Sequence, residues 1–399
     1  MSLNFGRTLL AIPGPSVIPE RVLNAMHRSS PNIYGGELET ITNSLYPDLK
    51  SVARTKGDVA LYIANGHGAW EAALRNTLTE GDTALVLQTG RFATNWGILA
   101  ETLGIRTKVV DFGMQGDVDL EQVEKVLRED TAGEIRAILV VQTDTASSVK
   151  NDIPALRKLV TDCNHDALFM VDCIASLGCE QFEMDAWGVD VMVAGCQKGL
   201  MTPAGLSFVY FNEKGAEASK RVSPGQYWDW IARTRSELFY QKFCGTAPTH
   251  HLYGLREALD MLLHEEGLEA AWTRHATIAR AVWAAIDGWG EGASMRHNIS
   301  DQAKRSNAVS AIETGTGEAD RIRAWCEAEA GVTFGIPLGF EGETAANRFR
   351  IGHMGHQNIP MIMGALSAID TAMKALEIHH GSSGLMRATE VLALHGASS

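Results

Sequence analysis

The sequence lacks several signals that would indicate a secreted or membrane protein. Its six cysteines form no Cys-x-x-Cys pair, and so few in a chain of 399 residues favour a reducing compartment over a disulfide framework. Residues 1–16 contain one arginine and no long apolar stretch, so they predict no secretory signal. No run of about 18 apolar residues predicts a membrane span. We therefore expect a cytoplasmic protein that does not contact a membrane.

Basic residues are also scarce relative to acidic ones. Lysine and arginine total 35 against 48 acidic residues, which gives a formal net charge of −13. Because phosphate backbones are bound by basic surfaces, this balance argues against a nucleic-acid partner. The chain also has neither Gly-x-Gly-x-x-Gly nor a P-loop lysine pattern, which disfavours a nucleotide-binding α/β protein.

What is present is the composition of a large globular protein, with 45% hydrophobic and 21% charged residues. Proline and glycine interrupt residues 13–19, so we expect residues 1–20 to form an irregular arm. The sequence pattern changes after about Thr249, where helical patterns replace the alternation of strands and helices. We predict a large domain over 21–265 and a smaller one over 266–399 that ends in a short, loosely held tail from His379.

Short apolar runs alternate with helical patterns through the first domain. Strands that are apolar on both faces and separated by helices predict a mostly parallel sheet in an α/β domain. The second domain shows helices at Leu268–Trp289 and Met361–Leu376 and two short strands, which predicts an α+β unit. The strands predicted for the first domain are Val59–Ala64, Thr83–Leu87, Ile135–Val141, Leu168–Val171, Val189–Ala194 and Leu206–Phe211.

Two charged residues follow buried strands. Asp172 ends the strand at Leu168–Val171, and Lys198 follows the strand at Val189–Ala194 in Gly-Cys-Gln-Lys-Gly. Both should emerge at the carboxyl edge of one sheet, where α/β proteins bind ligands. A buried amine and a carboxylate there suit a lysine Schiff base to pyridoxal phosphate, with the aspartate on the pyridine nitrogen. The alternatives are a surface lysine at a turn and an aspartate paired with a local arginine.

Further strand ends carry weaker signals. The Asn65–Gly68 turn joins a strand to a helix, and free N–H groups there can hold a phosphate, although an ordinary turn looks the same. Phe92 could stack on a planar ligand or belong to the core. The hydroxyl-rich loop Gln142–Ser148 could hydrogen-bond a ligand or simply cap a helix. In the second domain, Arg350 has the fork that binds carboxylates, or it forms a local salt bridge.

A metal site is not predicted. His353 and His356 lie close together, but no carboxylate or cysteine pattern accompanies them.

With these residues in this order, the chain resembles the class V aminotransferases of fold type I, in particular the alanine–glyoxylate and serine–glyoxylate aminotransferases. The resemblance runs from Ile12-Pro13-Gly14-Pro15 to the final helix and includes Val171–Gly178 and Arg350-Ile351-Gly352. It implies a large domain, built on a mostly parallel sheet of the seven-stranded type, that binds pyridoxal phosphate. A smaller carboxyl-terminal α+β domain completes this fold.

The resemblance also assigns roles to residues. It implies that Lys198 carries the Schiff base as the catalytic amine and that Asp172 contacts the pyridinium nitrogen. The other implied contacts are Asn65, Gly66, His67 and Gln197 at the phosphate, Phe92 on the ring, Thr145 near the phenolic oxygen O3, Ile174 elsewhere at the cofactor, and Arg350 on the substrate carboxylate.

Members of this family are homodimers with shared active sites, each completed by a tyrosine and a threonine of the partner subunit. Thr246 matches that threonine, whereas Phe243 stands at the tyrosine position, and Tyr240 is a possible substitute. The family's serine or threonine at the phosphate is Asn65 here.

The resemblance implies a transaminase that moves the amino group of alanine, serine or aspartate to a 2-oxo acid such as glyoxylate or pyruvate. Alternatives on the same fold are a transaminase that uses pyridoxamine or an aminophosphonate, and a lyase similar to cysteine desulfurases. The lyase needs a mobile nucleophilic cysteine, and Cys326, the one cysteine of the second domain, falls in a predicted helix. A non-catalytic protein that binds pyridoxal phosphate is a further alternative.

Overall fold

The computed structural model describes residues 3–396 of the chain. Fourteen strands lie in this described part. They are β1 (Leu9–Ala11), β2 (Asp58–Tyr62), β3 (Thr83–Gln88), β4 (Arg106–Asp111), β5 (Ile135–Val141), β6 (Thr143–Asp144), β7 (Val149–Lys150), β8 (Leu168–Asp172), β9 (Val191–Gly195), β10 (Ser207–Phe211), β11 (Arg296–His297), β12 (Val309–Glu313), β13 (Val332–Phe334) and β14 (Arg348–Gly352).

Fourteen α-helices lie in the same residues, and none of them is long and apolar enough to cross a membrane. They are α1 (Glu20–Met26), α2 (Glu37–Ala53), α3 (Gly66–Thr77), α4 (Arg91–Thr102), α5 (Leu120–Glu129), α6 (Ile153–Asp162), α7 (Glu213–Ala218), α8 (Trp230–Thr234), α9 (Thr249–Leu259), α10 (Leu268–Gly290), α11 (Glu318–Trp325), α12 (Gly342–Ala346), α13 (Ile359–Ala375) and α14 (Gly384–Gly396). Short 3₁₀ turns span Ser219–Arg221, Phe239–Phe243 and Gln302–Lys304, and π-helical turns extend α9 and α11 through Asp260–Glu266 and Cys326–Ala330.

The central feature is a seven-stranded sheet with the order β2-β10-β9-β8-β5-β3-β4. Strand β10 is antiparallel to both of its neighbours, and the remaining pairs are parallel. This arrangement confirms the α/β class and the mostly parallel sheet that the apolar runs predict. It also places the carboxyl ends of β5, β8 and β9 side by side.

The middle strands are apolar over most of their length because both faces of the sheet are covered, although Arg136 near the start of β5 is exposed. In β5, Ile138 and Val140 enter one hydrophobic core, while Leu139 and Val141 enter another on the opposite face. Side chains alternate between faces along a strand, so the part of a strand that lies between two cores is apolar at consecutive positions. Each such fully buried side chain stabilises the fold by roughly 1.5–3 kcal/mol.

The carboxyl-terminal part of the chain has its own core. Strands β11, β12 and β14 form a three-stranded antiparallel sheet, against which α10 and α13 contribute buried apolar residues. A separate core is what a second domain requires. The boundaries at residues 20 and 265 remain predictions.

Two segments differ from the expectations. The arm is not wholly irregular, because its strand β1 pairs in parallel with β13. The tail after His379 is not loosely held, because it forms α14, which buries Ala388 and Leu392 in the second core. The small residues of this segment permit close packing, since Gly384 lies directly against the indole of Trp289.

Arg233 anchors the segment 225–245 to the edge of the sheet. It is 1% exposed and donates hydrogen bonds to the carbonyl oxygens of Leu61, Tyr227 and Lys242 at 2.6–3.2 Å. Its guanidinium also lies over the rings of Tyr62 and Tyr227. No carboxylate in residues 3–396 forms an ion pair with it, so carbonyl dipoles and aromatic faces compensate the buried charge.

We expect Arg233→Leu to lower the free energy of unfolding by about 2–4 kcal/mol, because three carbonyl groups lose a charged donor. The matched control is Arg235→Leu, since Arg235 is exposed two residues away. Thermal unfolding followed by circular dichroism should show a clear drop in Tm for the first variant only. Equal Tm values for the two variants would contradict the anchoring role.

Candidate active site

One pocket lies where β5, β8 and β9 end. It has a volume of about 290 Å³, and backbone and side chains from both the arm and the central sheet line it. The lining residues are Gly14, Pro15, Asn65, Gly66, His67, Trp70, Phe92, Val141, Thr143, Thr145, Asp172, Ile174, Ala175, Gln197, Lys198 and Ala204. Nine of the residues singled out in the sequence therefore share one cavity, as expected for the carboxyl edge of a parallel sheet.

Lys198 is buried with only 9% of its surface exposed. Its amine donates a hydrogen bond to the carbonyl oxygen of Pro13, and no carboxylate in the described chain forms an ion pair with it. Burial, assisted by the positive charge of Arg350, lowers the pKa of the Lys198 amine to about 8. A larger share of this amine is therefore neutral, and nucleophilic, at neutral pH than for an exposed lysine.

The arm covers this lysine. Gly14 has a φ of +94°, and a Cβ at this position would overlap the Lys198 side chain. Only glycine combines that backbone conformation with so close an approach. In addition, the hydroxyl of Ser16 donates to the carbonyl oxygen of Lys198 at 2.8 Å. The proline- and glycine-rich arm thus limits the access of water to the amine.

Asp172 is fully enclosed, and each of its oxygens accepts one hydrogen bond. The backbone N–H of Ile174 donates to Oδ1 at 2.6 Å, and the indole N–H of Trp70 donates to Oδ2 at 2.8 Å. Burial raises the pKa of the Asp172 carboxyl group to about 7, against the opposing effect of these bonds. Trp70 was not recognised in the sequence, because an apolar residue in the first turn of a helix is ordinarily a core residue.

The start of α3 faces the same pocket. Asn65 caps this helix, and its Oδ1 accepts hydrogen bonds from the N–H groups of His67 at 3.1 Å and Gly68 at 3.4 Å. Gly66 allows the side chain of Ile174 to pack against the turn, because a Cβ would overlap it. An anion bound at this helix start would compete with Asn65 for those N–H groups.

Phe92 lies in the first turn of α4. The carboxylate of Asp144 caps the start of this helix. Oδ2 of Asp144 accepts from the N–H groups of Phe92 at 2.8 Å and Ala93 at 3.1 Å. Gly90 permits this, because a Cβ there would overlap Asp144. A lone acidic residue in a hydroxyl-rich loop carries no sequence signal for this role.

Arg350 lies outside the pocket lining but directly behind it. It is 6% exposed and donates to the carbonyl oxygens of Ile336 at 2.7 Å and Thr145 at 2.8 Å. Burial lowers the pKa of its guanidinium to about 10, which leaves it charged at neutral pH. Thr145 therefore links the pocket to β14 through its backbone.

The residues expected to serve a partner subunit lie elsewhere. Phe243 is 1% exposed and packs against Phe239 in the core of its own chain, with ring centroids 5.8 Å apart. This placement corrects the expectation that Phe243 contacts a cofactor, because its ring is not accessible. Thr246 is exposed on the same segment, and Tyr240 is 41% exposed.

The described residues fit pyridoxal phosphate. The pocket offers a buried amine without an acidic partner, a buried carboxylate, an aromatic ring and a helix start. In addition, Oε1 of Gln197 is buried and has no hydrogen-bond partner within residues 3–396, as expected of a group that faces a ligand. The individual contacts remain predictions.

Comparisons with known proteins identify the family of the chain. The aminotransferase class-V family model matches residues 10–335. Serine--glyoxylate aminotransferase of Methylorubrum extorquens is 35% identical, with 92% of this chain and 91% of that protein covered. L-aspartate--glyoxylate aminotransferase of Paracoccus denitrificans is 33% identical over 92% and 91% of the two chains.

Among solved structures, pyridoxamine-pyruvate aminotransferase from Mesorhizobium loti superimposes with a TM-score of 0.87 at 24% identity. The match covers 99% of this chain and 100% of that one. At that identity, the likeness concerns the fold. Together with the family match over most of its length, these findings show that the chain belongs to the class V aminotransferases.

Proposed function

We propose that this protein moves the amino group of a small amino acid, such as serine, aspartate or alanine, to glyoxylate or another small 2-oxo acid, with pyridoxal 5'-phosphate as its cofactor. The observation that carries the proposal is a single pocket that joins the desolvated amine of Lys198 to the enclosed carboxylate of Asp172. The names of the related glyoxylate aminotransferases support the choice of substrates.

In this proposal Lys198 has two roles. As a neutral amine it would hold the aldehyde carbon of the cofactor, and when free it would move the proton at the Cα atom of the substrate. Its lowered pKa suits both roles, because a permanently charged ammonium can neither attack a carbonyl nor accept a proton. The arm above it, with Gly14 and Pro13, would keep competing water away from the amine.

Asp172 and Arg350 would supply the fixed charges. When bound, pyridoxal phosphate supplies an electron-accepting ring that stabilises negative charge at Cα. As a carboxylate, Asp172 would hold a proton on the ring nitrogen. Arg350 would bind the carboxylate of the substrate, since its guanidinium is already oriented by two carbonyl oxygens behind the pocket.

One observation at the predicted phosphate end of the pocket favours a second candidate amino donor, which is pyridoxamine. Asn65 already occupies two N–H groups of the α3 start, and no lysine or arginine other than Lys198 lines the pocket within residues 3–396. In this second candidate function, pyridoxamine would occupy the ring site in place of pyridoxal phosphate, and a site with few hydrogen-bond donors for a phosphate would suit it because pyridoxamine has no phosphate. The cysteine desulfurase alternative is disfavoured, because Cys326 is completely buried and burial raises the pKa of its thiol to about 12.

We also propose that the active unit is a homodimer. Large apolar side chains are exposed at five positions, among which Tyr227 donates to the carbonyl oxygen of Ile63 and Tyr34 contacts Tyr240. We call Tyr34, Ile63, Tyr227, Leu238 and Tyr240 the rim patch. A second copy would cover this patch, and Thr246 on the same segment could then reach the partner's site.

The six free cysteines support a cytoplasmic location.

We expect purified protein with added pyridoxal phosphate to develop a visible absorbance band. Serine, aspartate or alanine, added separately, should convert that band, and glyoxylate should restore it. Pyridoxamine is tested with protein free of pyridoxal phosphate, because the two would occupy the same ring site. Lys198→Ala should lose the band and lower kcat by at least about 10²–10⁴-fold, because the nucleophile and proton carrier is absent. The control is Lys158→Ala, which removes a surface ion pair on α6. Normal turnover by Lys198→Ala would refute the assignment.

Arg350→Lys should raise the KM for both substrates by about 10–100-fold, because a lysine cannot reproduce the two-point contact of a guanidinium. The effect on kcat should be smaller. Arg348→Lys is the control on the same strand, where the side chain pairs with Glu313. If both variants keep the wild-type KM, Arg350 does not bind the substrate carboxylate.

Leu238→Asp should dissociate the proposed dimer, because it replaces an exposed apolar side chain of the rim patch with a charge. Leu238 is 50% exposed, and Met386→Asp on α14 is a control at a residue that is 58% exposed. Sedimentation velocity should report a dimer of two 43.2 kDa chains for the wild type and the control, and a monomer for Leu238→Asp. A monomeric wild type would refute the dimer.

A further inference from the structure

Trp70 lines the pocket, and the proposed chemistry gives it no role. It is 1% exposed in the first turns of α3, and its indole N–H points at the carboxylate of Asp172. The two residues are 102 positions apart in the chain, so only the packing of α3 against the carboxyl end of β8 brings them together.

The surroundings of Asp172 make this bond important. In residues 3–396, Trp70 is the one side chain that donates a hydrogen bond to Asp172, and no cation forms an ion pair with it. The charged groups that act on it are Lys198, which favours the ionised form, and Asp144, which opposes it. His67 lies beside the ring of Trp70 at a centroid distance of 4.5 Å, and burial lowers the pKa of its imidazole, which favours the neutral form.

A neighbouring tryptophan shows that burial alone does not require such a bond here. Trp96 stacks on Trp70 with centroids 6.0 Å apart and an angle of 14° between the rings. Its indole N–H is also buried, yet it has no hydrogen-bond partner in the described chain. Of these two stacked tryptophans, Trp96 has an unpaired indole N–H, whereas Trp70 donates its indole N–H to a carboxylate.

We propose that Trp70 is a positioning residue that keeps Asp172 ionised and oriented toward the ring nitrogen of the cofactor. This inference rests on the proposed function. A hydrogen bond to the charged form of an acid favours that form, and burial of Asp172 favours the neutral one. Without the indole, the carboxyl group would keep its own proton more readily and would hold the proton on the ring nitrogen less well.

The test compares Trp70→Phe with Trp96→Phe, because both changes remove an indole N–H and keep an aromatic ring in the cluster. Each protein is loaded with pyridoxal phosphate, and its visible band is titrated with pH. We expect the midpoint to move upward by about one pH unit in Trp70→Phe, since a less protonated ring leaves the lysine-bound nitrogen more basic. Trp96→Phe should stay within about 0.2 units of the wild type, by the same reasoning.

A double-mutant cycle with Asp172→Asn identifies the route of the effect. If Trp70 acts through the ionisation of Asp172, Trp70→Phe should cause no further shift in the Asp172→Asn background. A shift of the same size in both backgrounds would overturn the inference, and so would equal midpoints in Trp70→Phe and Trp96→Phe.

A second measurement does not depend on the cofactor or on the folding of Trp70→Phe. The chain has nine tryptophans, so protein labelled with ¹⁵N-tryptophan gives nine indole signals. Before cofactor is added, one signal should titrate with a midpoint near the Asp172 pKa of about 7, and Asp172→Asn should abolish this titration. If no visible band forms in the wild type, the proposed function fails, whereas an indole signal that does not titrate refutes the role of Trp70 alone.

Discussion

The pocket depends on one constraint, which is the burial of a carboxylate and an amine at the same edge of a sheet. Charged groups lose hydration there, so each needs a polar partner within the protein. Asp172 has an indole and a backbone N–H, and Lys198 has the carbonyl oxygen of Pro13. Neither forms an ion pair in the described residues. Burial therefore moves both pKa values toward neutrality, which favours a neutral amine at Lys198 and makes the ionised form of Asp172 depend on the hydrogen bonds that it accepts.

The same constraint explains why three distant segments meet at the pocket. The arm supplies the carbonyl oxygen above Lys198, and its strand β1 is itself held by β13 in the carboxyl-terminal part. Strand β14 adds Arg350, which bonds to the backbone of Thr145. Close approach is permitted by glycine, since Gly352 lies so near Ile12 that a Cβ would overlap its carbonyl group. A change in any of these segments would therefore alter the surroundings of the Lys198 amine.

Sequence patterns predicted the regular elements well where periodicity was strong. The strand at Ile135–Val141 was predicted to the residue, and the helix at Leu268–Trp289 was predicted to within one residue. Sequence patterns failed where packing against distant residues of the chain decides the structure. The segment after His379 reads as polar and small, yet its few apolar side chains complete the second core as α14. Phe243 matched a family position in sequence, but its ring is buried in its own chain.

The sequence by itself determined the α/β class and the placement of Asp172 and Lys198 at one edge, because strand periodicity and strand ends are local properties. Only the tertiary structure decided which groups surround these charges. The bond from Trp70 to Asp172 spans 102 residues, and the one from Lys198 to Pro13 spans 185. No local pattern encodes such contacts, since they arise when α3, the arm and the sheet pack together. The same packing also buries Phe243 in its own chain, which no local pattern predicts.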